Sequence, residues 1–169
     1  MVADSKGILA IDESHGTCKK RFDALNIDVT EENRRSYRDM LVSANSLSNY
    51  ISGAILFDET IRQKTSDGST FPDYLDKVGI IPGIKVDAGA KPFSSHPNEK
   101  ITEGLDNLTE RMKEYSSLGA KFAKWRAVIT IGENIPSSAC MLANSHALAR
   151  YASICQEINI VPIVEPEVL

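Results

Sequence analysis

Residues Phe122–Ile129, FAKWRAVI, decide the reading of the chain, because a strand-length apolar run is broken there by two cations. A buried strand tolerates Lys124 and Arg126 only if carboxylates or an anionic ligand answer them, since an unpaired buried charge is costly. Side chains alternate between the faces of a strand, so Lys124 and Arg126 share one side and Trp125 points to the other. One face of this run is therefore expected to be charged, and the other to pack against a helix layer.

Four more runs of strand length flank it: Gly7–Asp12 (GILAID), Ser52–Phe57 (SGAILF), Ile80–Val86 (IIPGIKV) and Ile160–Val164 (IVPIV). Each is bounded by Gly, Pro or charged residues. Helical segments lie between them. TEENRRSYRDMLVSA opens on Thr30 as an N-cap, with Glu31 and Glu32 in the first turn where the helix dipole favours negative charge. LDNLTERMKEYSSLG places Leu105, Leu108, Met112 and Tyr115 on one face and stops near Gly119. SSACMLANSHALARYASICQE is capped by Ser137 or Ser138 and carries Leu148, Ala152 and Cys155 at helical spacing. Alternating strand and helix implies a parallel sheet, either open and doubly wound or closed as a barrel.

The position of the charges favours the barrel. Asp12 and Glu13 end the first run, Asp58 and Glu59 follow the second, and Lys85 and Asp87 close the third. Glu165 and Glu167 end the fifth. In a (β/α)8 barrel the catalytic groups come from the C-terminal ends of several strands. The pairs 85/87, 124/126 and 165/167 each have i, i+2 spacing, so a ring of mixed charge at the barrel mouth is expected. No GxGxxG or GxxxxGK[ST] follows a strand, which leaves a dinucleotide or P-loop site without support. A complete barrel needs about 250 residues. The 169 residues are therefore expected to form a single-domain α/β fold, a (β/α)8 TIM barrel truncated at both ends and covering roughly its first five βα units.

Composition narrows the function classes. Apolar residues make up 42% and charged residues 25%, with a net charge of -4, so no broad basic footprint for nucleic acid exists. No apolar stretch approaches the ~18–20 residues that span a bilayer, and the first residues make a poor secretory signal. Cys18, Cys140 and Cys155 lack CxxC spacing and read as reduced packing residues of an intracellular protein. His15, His96 and His146 have no metal-ligand spacing and read as surface or helix residues.

Cations facing a mouth suit a phosphorylated substrate. A buried lysine crowded by other cations can form a Schiff base, and from the residues alone Lys124 is the candidate nucleophile. Glu165 and Glu167 are either proton shuttles or only the structural partners of the cations. The chemistry indicated is that of a carbonyl-handling lyase or isomerase acting on a sugar phosphate.

The segments KGILAIDES, TEENRRSYR, ISGAILFDET, PGIKVDAG, GLDNLTERMKEY, GAKFAKWRAVITIGE, ALARYASICQE and VPIVEPE together resemble class I fructose-1,6-bisphosphate aldolase, in order along the chain from about Lys6 to Leu169. The resemblance implies a TIM-barrel lyase of glycolysis and gluconeogenesis, a homotetramer when full length, working without metal or cofactor. Its reaction is reversible Schiff-base cleavage of fructose 1,6-bisphosphate to dihydroxyacetone phosphate and glyceraldehyde 3-phosphate. By the same resemblance Asp12 assists carbon–carbon cleavage, and Lys85 belongs to a substrate phosphate site. Lys124 and Arg126 bind substrate and support proton transfer. Glu165 is the general acid/base, with Glu167 as its neighbour. Ser14, Thr17 and Arg21 fall where the substrate's far phosphate binds, and Arg34 is a substrate-contact candidate on less specific grounds. The chain departs from the family pattern at His15 and Thr17, which bears on the shape of that phosphate pocket.

The resemblance moves the Schiff-base lysine away from Lys124 to a later strand beyond VEPE, outside these residues, together with the second phosphate site. By the same resemblance, the family's usual N-terminal helix is expected to lie outside these residues as well. Two alternatives stand beside the aldolase: a non-catalytic aldolase-like binding protein, or another sugar-phosphate lyase using Lys124. Cytoskeletal partners are known for aldolases in general. No nucleic acid or membrane partner is expected. The expected compartment is the cytoplasm, with the plastid as the alternative that AIDES…CKKR and YISGAILF suggest.

Overall fold

Pairing of parallel strands through helical crossovers organises the protein locally, as the alternation of runs predicts. The structure, a computed structural model, describes residues 1–169 apart from the side chain of Ala3. It divides into two compact units, Met1–Lys85 with Ser117–Lys121, and Val86–Ser116 with Phe122–Leu169.

In the first unit, β1 (Gly7–Ala10), β2 (Ile51–Leu56) and β3 (Ile81–Lys85) pair in parallel in that order, with Leu9 opposite Ala54 and Ala54 opposite Pro82. Ala54, Ile55 and Leu56 are successive residues of β2 and all are buried, the pattern of a parallel strand covered on both faces. The helices are α1 (His15–Asp23), α2 (Glu31–Val42), α3 (Asp58–Ile61) and α4 (Phe71–Lys77). Thr30 caps α2 as expected, its hydroxyl oxygen accepting from the Asn33 amide at 3.0 Å. The four-residue α3 and seven-residue α4 are not among the sequence-based expectations, being too short to show a helical period. A local signal for α4 does exist: Thr70 caps it and Pro72 sits in its first turn.

In the second unit, β4 (Ala90–Pro92) and β5 (Lys100–Thr102) form a small antiparallel ladder, another element outside the expectations. Helix α5 (Leu108–Ser117) buries Leu108, Met112 and Tyr115. Strands β6 (Phe122–Ile129) and β7 (Val161–Val168) pair in parallel along all eight residues, from Phe122 opposite Val161 to Ile129 opposite Val168. Helix α6 (Ser138–Glu157) makes the crossover, capped by the Ser137 oxygen, which accepts from the Cys140 amide at 3.1 Å. Trp125 is fully buried and lies 5.6 Å, ring to ring, from Tyr151 of α6, so its side of β6 does face a helix.

Several strand ends differ from expectation: β1 stops at Ala10, short of Asp12, and β2 runs one residue earlier at each end than Ser52–Phe57. The fifth strand does not stop at Val164: β7 continues to Val168, so Glu165, Pro166 and Glu167 are strand residues. Proline usually terminates a strand because it lacks an amide donor. Here the Leu169 amide donates to Ile129 O, which puts the odd-numbered amides of β7 on the β6 side. Pro162 and Pro166 fall on the alternate set, where no donor to β6 is needed. The third strand ends at Lys85, and Asp87 lies beyond it, so the i, i+2 alternation does not extend to Asp87. Instead Asp87 accepts the amides of Gly89 at 3.0 Å and Arg126 at 3.3 Å, which fixes the turn.

All three cysteines are buried and unpaired by disulfide, in accord with a packing role. Among the described residues no helix is long and apolar enough to cross a membrane.

Candidate active site

The candidate residues fall into two clusters, one in each unit. The cluster in the second unit is built by the register of β6 and β7. Lys124 lies opposite Ile163, Arg126 opposite Glu165, and Val128 opposite Glu167. Both cations reach diagonally, each to the carboxylate two residues beyond its register partner. Lys124 Nζ stands 3.1 Å from Glu165 Oε2, and Arg126 Nε pairs with Glu167 Oε2. The cations that interrupt FAKWRAVI therefore have the carboxylate partners their cost demands.

The two pairs are not equivalent. Arg126 and Glu167 share a hydrogen bond, and the guanidinium holds the Glu167 carboxyl below the usual range. Lys124 and Glu165 make an ion contact without an aligned hydrogen bond at Glu165 Oε2. Lys124 is the most enclosed of the four, with 13% of its side chain exposed against 34% for Glu165. Its ion contact is to the Glu165 carboxylate.

The Arg126 backbone is fixed from outside the strand pair. Its amide donates to Asp87 Oδ2, and its carbonyl accepts from Thr102 Oγ1 at 2.7 Å. Thr102 is held in turn by Asn144 of α6, whose Oδ1 accepts the Thr102 amide at 3.3 Å.

The cluster in the first unit surrounds the end of β1. Asp12 is half-buried two residues past the strand, and Lys85 is half-buried at the end of β3. Ser14 caps α1, its Oγ accepting from the Thr17 amide at 3.4 Å and lying 3.2 Å from Thr17 Oγ1. Sequence-expected Ser14 and Thr17 are thus brought together at a helix start. Arg21 is turned to the Glu13 carboxylate and donates to Tyr37 Oη at 3.0 Å. Arg34 of α2 forms a fork with Glu59, through Nε to Oε2 at 2.9 Å and Nη2 to Oε1 at 2.5 Å. That fork outweighs burial and lowers the Glu59 carboxyl from its ordinary value. His15, which is mostly exposed, adds an Nε2 contact to Glu59 Oε1 at 3.3 Å.

The sequence reading placed Glu13 and Glu59 among the charges at the strand ends, but did not name Arg38 or Tyr37. Arg38 is fully buried and bonded to Ile11 O, Glu13 O and Glu59. The available signal was its position four residues after Arg34, on the same helix face.

The chain matches one protein family along its whole length. The sequence model of the family described as "Glycolytic: Fructose-bisphosphate aldolase class-I" matches residues 1–169. The chain is 63% identical over 169 residues to the "Probable fructose-bisphosphate aldolase class 1" of Xanthomonas campestris pv. campestris, covering 100% of this chain and 51% of that protein. It is 54% identical over 168 residues to the "Fructose-bisphosphate aldolase" of Schistosoma mansoni, covering 99% of this chain and 46% of that protein. Among solved structures, the fructose-bisphosphate aldolase of Plasmodium falciparum, in a ternary co-crystal with TRAP and a small-molecule inhibitor, superposes with a TM-score of 0.95. It is 50% identical, over 99% of this chain and 49% of that one. The chain thus spans about half the length of the curated relatives it matches. The fold class is that of the (β/α)8 TIM barrel, of which these residues carry roughly the first five βα units. With a family match along its whole length and 50–63% identity to these relatives, the chain belongs to the class I fructose-bisphosphate aldolase family.

Proposed function

We propose that the complete protein is a fructose-bisphosphate aldolase, cleaving fructose 1,6-bisphosphate reversibly to dihydroxyacetone phosphate and glyceraldehyde 3-phosphate through a lysine Schiff base. The observation that carries this is the pairing on β6 and β7, where Lys124 and Arg126 each meet a carboxylate on the neighbouring strand. Such a set gives cations for an anionic substrate and a carboxyl group for proton transfer.

Glu165 is assigned the general acid/base, because Arg126 keeps Glu167 ionised and occupied while Glu165 has only an ion contact to Lys124. A proton held at Glu165 passes to and from the carbinolamine oxygen and the reacting carbon, with Lys124 stabilising the carboxylate after transfer. Arg126 contributes its fixed positive charge to the substrate. Asp12 assists the carbon–carbon cleavage. Lys85 binds phosphate, as do Ser14, Thr17 and Arg21, and Arg34 contacts substrate. The Schiff-base lysine lies outside residues 1–169. The protein acts in the cytoplasm as a homotetramer, its domain being a single barrel, and like the Plasmodium relative it is open to a protein partner.

Cleavage by the full-length protein is measured as release of dihydroxyacetone phosphate, and borohydride trapping with fructose 1,6-bisphosphate locates the adduct by mass spectrometry. An adduct on a lysine outside residues 1–169 is expected. Trapping at Lys124 would instead identify a different sugar-phosphate lyase. Neither cleavage nor adduct would identify a non-catalytic relative.

A further inference from the structure

The guanidinium of Arg38 has no exposed surface, although α2 could be held against β1 by an apolar side chain at far less desolvation cost. Its contacts show what an apolar residue could not do. Nε donates to Ile11 O at 3.1 Å, and Nη2 donates to Glu13 O at 2.5 Å. Those two carbonyls bracket Asp12, two residues beyond the end of β1. The rest of the guanidinium is fixed independently. Nη1 lies 3.4 Å from Glu59 Oε2, Nη2 lies 3.7 Å from Cys18 Sγ, and the group sits over the Phe57 ring at 5.5 Å.

Residues on either side of Asp12 are pinned by other contacts too. The Ile11 amide donates to Ile55 O of β2 at 3.1 Å, and the Glu13 carboxylate is held by Arg21 and Tyr37. A buried, charge-neutralised clamp that grips both flanks of one half-buried aspartate is built to restrict that aspartate's backbone. Reacting groups need placement within about 0.5 Å, and groups that supply such placement act through the residue they hold.

We propose that Arg38 is a positioning residue for Asp12, holding it through the carbonyls of Ile11 and Glu13 without touching substrate. This rests on the proposed function insofar as Asp12 takes part in carbon–carbon cleavage.

The test uses the full-length protein with Asp12→Asn, Arg38→Lys and the double variant. Arg38→Lys keeps the charge but cannot span both carbonyls. Its kcat for fructose 1,6-bisphosphate cleavage is expected to fall at least tenfold with KM within twofold. The double variant is expected to be no slower than Asp12→Asn alone, because the clamp has nothing left to position. Hydrogen exchange in the peptide around Asp12 is expected to rise at least tenfold in Arg38→Lys while β2 is unchanged. Multiplicative kcat losses in the double variant, or unaltered exchange around Asp12, would overturn the assignment. If Arg38→Lys does not fold, Arg38→Gln is scored by the same criteria, and failure of both to fold assigns Arg38 a purely structural role. Absence of cleavage in the wild type would sink the proposed function, while the exchange measurement would still decide the clamp.

Discussion

Replacing Glu165 by Gln separates the two carboxylates that the sequence presents as equals. The substitution keeps the shape and an amide oxygen beside Lys124, and removes the ionisable carboxyl group, with its negative charge and the proton it can carry. General acid–base catalysis contributes about 10²–10⁴ in rate, which is about 2.7–5.4 kcal/mol of barrier. Glu165→Gln should therefore lower kcat by a factor in that range and leave KM nearly unchanged, since substrate binding is left to the cations. Glu167→Gln is the matched control. Its carboxylate is already committed to Arg126, and that partner side chain is 41% exposed, so the pair adds about 1 kcal/mol or less after solvent screening. Its loss should appear in KM, by less than tenfold, through a less ordered Arg126. Steady-state cleavage by the full-length protein reads both variants, with far-UV circular dichroism confirming that each is folded. Should Glu167→Gln lose more kcat than Glu165→Gln, or Glu165→Gln stay within tenfold of wild type, the division of labour between the two carboxylates is wrong.

Glu59→Gln removes the partner of Arg34 and of fully buried Arg38, and breaking such a buried pair costs about 3–5 kcal/mol at neutral pH, read as a lower urea midpoint. Because the folded state holds the Glu59 carboxyl below its ordinary value of 4.5, its stabilisation is fully present above that value and is lost as pH falls through the lowered one. The gap between wild type and Glu59→Gln should accordingly narrow on acidification below about pH 4, and a gap that widens would contradict the fork. Trp125→Ala should cost about 3–5 kcal/mol, with Trp125→Phe costing less, because the indole is fully enclosed beside Tyr151. A urea-midpoint shift worth under 1 kcal/mol for Trp125→Ala would mean that this face of β6 is not packed as described.

What the sequence made legible was whatever depends on neighbours in the chain. Thr30 was identifiable as a cap, and the cap of α6 was narrowed to Ser137 or Ser138, because a hydroxyl just before a helical segment marks the motif locally. The alternation Lys124, Trp125, Arg126 needed only the pleat of a strand to assign its faces. Arg38 was hidden for the opposite reason. Its spacing from Arg34 places both on one face of α2, yet nothing local distinguishes a solvated arginine from one that ends on Ile11 O, 27 positions away. The same limit applies to Glu165 and Glu167. Their i, i+2 spacing is symmetric, and their residue types are identical, so no periodicity could rank them. The asymmetry comes from the β6–β7 register. A two-residue diagonal gives Arg126 to Glu167 and leaves Lys124 for Glu165. A guanidinium presents its donors in a rigid planar fork, whereas an ammonium on a flexible stem presents rotatable donors and a less directional hold. The register thus selects which glutamate is immobilised and which retains the freedom to exchange a proton. A two-residue slip that set Arg126 opposite Ile163 would hand Glu165 to Arg126 and leave Lys124 facing Ile163 at the same diagonal, without a carboxylate.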